Sequence, residues 1–108
     1  MAIFHWKIQR ISAILLVPAV IYITIYFLNI GSLSYSDVIG DITSSAGVLL
    51  IIFVSIVLFT HSALGIETIM EDYIHDDVLQ RLFIIFSKII HVILFLTTLI
   101  SLTLIKGI

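Results

Sequence analysis

The 108 residues of this chain include no cysteine and a single proline, and charged side chains make up only 11% of them. The missing cysteines exclude disulfides, thiolate metal ligands, iron–sulfur clusters and covalently attached c-type haem from this chain. The scarcity of charge excludes more. With 61% hydrophobic residues and a mean hydropathy of +1.30, the composition stands far from that of a soluble domain, whose apolar share is roughly 45–50%. A net charge of −2 gives no basis for binding nucleic acid. No polar stretch is long enough to fold as a separate soluble domain, so any chemistry in water belongs to a partner. What is present is a membrane protein. The chain has the length for about three crossings of ~20 residues each with short connections. The crossings are helices, because an isolated strand cannot satisfy its backbone in lipid.

The sequence therefore predicts an all-α integral membrane protein, one domain over 1–108, with spans at about 11–30, 46–69 and 82–105. The first span is too long for the core of a cleavable signal peptide and is read as retained. Pro18 falls inside it and frees the carbonyl of Ile14, an arrangement that neighbouring helices accommodate with or without a kink. GSLSYSDVIGDITSS joins the first two spans and EDYIHDDVLQ the last two; both read as loops. Lys7 and Arg10 precede span one and Arg81 opens span three, whereas the first loop has Asp37 and Asp41 but no basic residue. This bias puts the N-terminus and the second loop inside, against the single contrary charge of Lys106. Trp6, Tyr35 and Tyr73 stand at span ends, where the membrane interface favours aromatic side chains.

The segment HSALGIETIMEDY, 61 to 73, carries the chemistry. On a helix, Gly65, Thr68 and Asp72 lie at roughly 40°, −20° and 20° from His61, a narrow stripe with a histidine deep in the membrane and a carboxylate at its edge. Gly65 removes bulk that would keep a flat macrocycle or another helix from the backbone. Tyr73 stands about 18 Å further along, at the interface. Ionisable side chains are costly in a bilayer and usually functional, which makes His61 a candidate ligand or proton relay rather than only an interhelix hydrogen bond. A neutral imidazole is a good axial ligand for haem iron. His91 falls at similar depth in span three, which allows a bis-histidine haem within the chain, although its flanks IIHVI favour a packing or interhelix role. Arg10 is a bidentate donor for carboxylate or phosphate, or a lipid anchor. Asp72 and Tyr73 also read as a solvated helix-end charge and a belt aromatic. Lys88 reads as snorkelling to the inner surface, and His75 as a solvated loop residue.

HWKIQRISAI at 5 to 14 and HSALGIETIMEDY at 61 to 73 together resemble the small hydrophobic membrane anchor, the D-type subunit, of succinate dehydrogenase (respiratory complex II). The resemblance runs over essentially the whole chain. It implies that His61 is one axial ligand of a haem b, with the second histidine on a companion C-type cytochrome b anchor subunit packed against this one. It further implies that Tyr73 hydrogen-bonds a carbonyl of the substrate ubiquinone, with Asp72 shaping the quinone-binding site. Arg10, and less directly His5, would lie in the haem propionate region. The implied partners are this companion, an iron–sulfur subunit and a flavoprotein subunit, which alone carry the FAD and iron–sulfur clusters, and membrane lipid. The implied location is a bacterial cytoplasmic or mitochondrial inner membrane. Two other readings stay open on the residues: a self-contained cytochrome using His61 and His91, and a haem-free scaffold or proton pathway through His61, Glu67 and Asp72.

Overall fold

A computed structural model describes residues 2–107, apart from the side chain of Ala2. It is helical throughout among the described residues: α1 (Ala2–Leu28), a 3₁₀ turn (Ile30–Ser32), α2 (Tyr35–Thr43), α3 (Ser45–Tyr73) and α4 (Asp77–Lys106). The three long helices are apolar enough to cross a membrane. Each exceeds its expected span. α1 begins nine residues earlier than the apolar run, and α3 continues through Glu71, Asp72 and Tyr73, so only 74–76 remain of the loop expected there.

Polar residues at the termini set these boundaries. Ser44 Oγ accepts from the Gly47 N–H at 3.0 Å and starts α3. Asp76 starts α4 by accepting from the Val78 and Leu79 N–H groups at 2.9 and 3.1 Å. The chain leaves α4 through Gly107 at φ +85°, a left-handed conformation that favours glycine. The first connection is not a plain loop: Ser34 and Asp37 form a reciprocal capping box that nucleates α2. α2 then lies against α3 so closely that a Cβ on Gly47 would overlap the Asp41 carbonyl.

α3 is the central helix, packed against α1 on one side and α4 on the other. Both neighbours run antiparallel to it. Ser12 meets His61 and Gln9 approaches Gly65; Phe95, His91 and Lys88 meet Phe59, Ser62 and Glu67 in turn. Small hydroxyl residues mark these seams: Ser12, Ser55 and Ser87 are buried, the pattern by which helices approach in lipid. Thr68, Thr97, Thr98 and Thr103 return their hydroxyls to carbonyls one turn back, so none is left unpaired in the membrane. The bundle thus has a proximal end, with the start of α1 and the α3–α4 turn, and a distal end, with α2. Lys106 belongs to the distal end, where its ammonium donates to the last carbonyl of α2, Thr43 O, at 2.9 Å.

Candidate functional site

His61 is held from one side. Ser12 Oγ donates its proton to the Gln9 carbonyl at 3.0 Å and lies 2.9 Å from His61 Nδ1. A hydroxyl has one proton to give, so with that proton on Gln9 it accepts from the ring. With that proton on Gln9, His61 is the Nδ1–H tautomer, and its Nε2 lone pair has no partner among the described residues. The ring borders a shallow apolar groove of about 330 Å³ lined by Ala13, Leu16, Val17, Val20 and Ile21. Gly65 contributes less than expected to the contact between α1 and α3. A Cβ there would meet Gln9 Nε2 at 3.9 Å, an ordinary contact.

His91 is held from both sides. Its Nδ1–H donates to the Ser87 carbonyl at 2.7 Å, which leaves Nε2 to accept from Ser62 Oγ at 2.9 Å. Phe59 packs edge-on against the ring at 6.4 Å. The expected similarity of depth holds, since Ser62 adjoins His61. Neither nitrogen of His91 is left for iron, however, so the geometry supports its interhelix role and not an intrachain pair with His61.

At the proximal end, Arg10 is exposed and its guanidinium lies over the Trp6 ring, 5.3 Å from the centroid. By helical arithmetic Arg10 falls within about 20° of Val17 and Ile21, on the face that lines the His61 groove. His5 lines a different recess, a cleft of about 420 Å³ shared with Trp6, Gln9, Leu64, Glu67, Thr68 and Glu71. Asp72 and Tyr73 are exposed in the last turn of α3, and Tyr73 is 80% exposed. Asp72 forms no ion pair among the described residues. Because α3 is helical without a break, the separation of about 18 Å between His61 and Tyr73 holds. Gln80 of α4 secures that end of α3: its Nε2 donates to Ile74 O at 2.7 Å and lies 3.4 Å from Glu71 O.

Lys88 does turn toward the proximal end, but it stops on Glu67. Its Nζ lies 3.6 Å from Oε1, while Glu67 Oε2 is buried without a hydrogen-bond partner. Ser12, Ser62, Gln80 and the pairing of Lys88 with Glu67 were not legible in the sequence, where Glu67 entered only in the proton-pathway reading. The one available signal was antiparallel pairing, which sets a hydroxyl near the His61 level on α1 and another near the His91 level on α3. No three of His, Asp and Glu converge on a point among the described residues, so His61 offers a single donor.

Fold and site define a three-span helical membrane protein that presents one oriented histidine on an open groove. Residues 1–98 match the family model of the succinate dehydrogenase/fumarate reductase transmembrane subunit, and the chain belongs to that family. It is similar to the succinate dehydrogenase hydrophobic membrane anchor subunit of Rickettsia bellii (strain RML369-C), 26% identical over 89 residues, which cover 82% of this chain and 71% of that protein. No solved structure matches the chain significantly. The chain is accordingly a membrane anchor subunit of this enzyme family, a multi-pass protein of the inner or cytoplasmic membrane.

Proposed function

We propose that this anchor holds a haem b through His61 and forms part of the site where ubiquinone is reduced by a succinate dehydrogenase complex. The observation that carries the reading is the Ser12-held imidazole, whose free Nε2 borders an apolar groove within the membrane. Metal-ligating histidines commonly donate their other nitrogen to a fixed acceptor, which sets tautomer and ring orientation. The groove is open, which suits a companion C-type anchor that closes it and brings the second histidine. A bound haem would supply one-electron storage beside the quinone site. Arg10, on the groove's face nearer the proximal end, suits the propionate carboxylates through a planar guanidinium. His5 lies in the neighbouring cleft and bears on propionates less directly.

The quinone role rests on Tyr73 and Asp72 at the proximal end of α3. A phenol hydroxyl can donate to a quinone oxygen as negative charge develops there. Asp72 sets the local charge and needs a cation from a partner, because no described residue forms an ion pair with it. Succinate oxidation falls to the flavoprotein and iron–sulfur subunits, since a chain without cysteine cannot hold those clusters. The proximal end faces inside in this reading: Lys7, Arg10 and Arg81 stand there, and the contrary charge, Lys106, serves as the C-terminal cap of α2.

The test is a reduced-minus-oxidised visible spectrum of the gently solubilised complex, with identification of the chains that co-purify. A haem b band, lost in His61→Ala, together with flavoprotein, iron–sulfur and second anchor subunits, is expected. Tyr73→Phe should lower quinone reduction while succinate–dye activity stays intact. Unchanged quinone kinetics would remove Tyr73 from the site.

A further inference from the structure

Glu67 has no part in the function above, yet it is the most enclosed carboxylate of the bundle's proximal half. Its side chain is 15% exposed, and every element around it presents a polar or charged group. α4 faces it with Lys88, Nζ 3.6 Å from Oε1. α1 faces it across the cleft with His5 and Gln9, and on α3 itself Thr68 and Glu71 share that cleft. Oε2 remains buried and without a hydrogen-bond partner among the described residues. Placing a carboxylate within a bilayer is costly, and such groups typically mark ion or proton pathways. One ammonium at 3.6 Å leaves half of this carboxylate unanswered.

The cleft is suited to answer it. Its volume of about 420 Å³ exceeds the ~30 Å³ share of one water many times, and its walls offer the several polar partners that each water needs. His5 and Glu71, both exposed, stand at its mouth. Glu67 and His61 are six residues apart on one helix, a rise of about 9 Å, at which charges in a poorly polarisable medium still interact appreciably.

We propose that this cleft is a proton-exchange site. Glu67 takes a proton from the aqueous phase at the proximal end, through water held by His5, Gln9, Thr68 and Glu71, when an electron is added at the haem on His61. It returns the proton when the electron leaves. The electron comes from the partner's iron–sulfur centres, the proton from water, and the only bond formed or broken in this chain is O–H on the Glu67 carboxyl. Lys88, with Nζ 3.6 Å from Oε1, is the counter-charge that faces the carboxylate. The inference rests on the reading of His61 as a haem ligand.

The experiment uses the whole purified complex. Infrared difference spectra on electrochemical reduction should show a carboxylic acid band that shifts in D₂O and is absent in Glu67→Gln. Potentiometric titration should show the haem midpoint potential falling as pH rises, with a limiting slope of about 59 mV per tenfold change in proton activity, and Glu67→Gln should flatten it. A slope or band that survives in Glu67→Gln overturns the proposal. Should that variant fail to assemble, Glu67→Asp decides: a displaced band assigns it to this position, and an unmoved band overturns the assignment. A wild-type complex without haem defeats the His61 reading instead. The electron-coupled exchange then falls with that reading, whereas a slope that survives in a haem-containing Glu67→Gln complex overturns the exchange alone.

Discussion

Ser12 decides which nitrogen His61 can offer. Its hydroxyl relays the Nδ1–H to the Gln9 carbonyl, a chain of two hydrogen bonds of 2.9 and 3.0 Å. Ser12→Ala removes the acceptor and lets the ring rotate or change tautomer. Losing the group that orients a metal-ligating histidine typically costs about 10–100-fold in metal affinity. We expect haem per complex, measured by pyridine haemochrome against protein, to fall on detergent washing, and Ser12→Thr to restore it. Gln80 offers a second test at this scale. Gln80→Leu frees the carbonyls of Ile74 and Glu71, and a lost hydrogen bond of ~1 kcal/mol corresponds to a KM for ubiquinone raised roughly five-fold, with haem content unchanged. Ser12 already stood inside HWKIQRISAI, but its partner is 49 residues away, a distance that no local pattern reports. His91 was more legible, since an interhelix hydrogen bond was its expected role and Ser62 provides it.

At the scale of elements, the three long helices were legible because ~20 apolar residues in lipid have few alternatives. α2 was not. Its nine residues lie in a Gly-, Ser- and Asp-rich stretch that reads as loop, and the capping box uses Asp37 where Glu or Gln is usual. What holds α2 is Gly47, where an added methyl would overlap the Asp41 carbonyl. Gly47→Ala should push α2 from α3 at a cost of about 1–3 kcal/mol, seen as faster proteolysis of residues 33–44. The pH dependence of α2 has a definite sign. Hydrogen bonds from the Ser34 backbone, and then its side chain, hold the Asp37 carboxyl below the usual carboxylate range. The helix start is thus fully stabilised above that range, and the stabilisation is lost as pH falls through the lowered value. Amide exchange in α2 should accelerate on acidification, and Asp37→Asn should abolish that acceleration.

At the scale of the molecule, the fold has little interior. Among the described residues Val57 and Leu102 are the buried apolar ones, and large side chains such as Leu28 and Ile14 are 78% and 69% exposed. In lipid this surface is not a liability, but it leaves stability to the bilayer and to neighbouring subunits. Expressed without its companions, the chain is expected to be polydisperse by size exclusion in mild detergent, and co-expression with the complex should make it monodisperse. The composition announced this class at once. It was silent on register, because Ile, Leu and Val saturate the spans and hide helical periodicity; register came instead from scattered polar pairs such as Glu67 with Lys88.

α3 runs unbroken from Ser45 to Tyr73, which makes His61 and Tyr73 two points on one rod. Their spacing along that axis is fixed at about 18 Å whatever docks around the bundle. Rotating or tilting α3 as a body therefore carries both residues together and leaves that spacing unchanged. A single residue inserted between them would leave the distance nearly the same, yet turn one site about 100° away from the other.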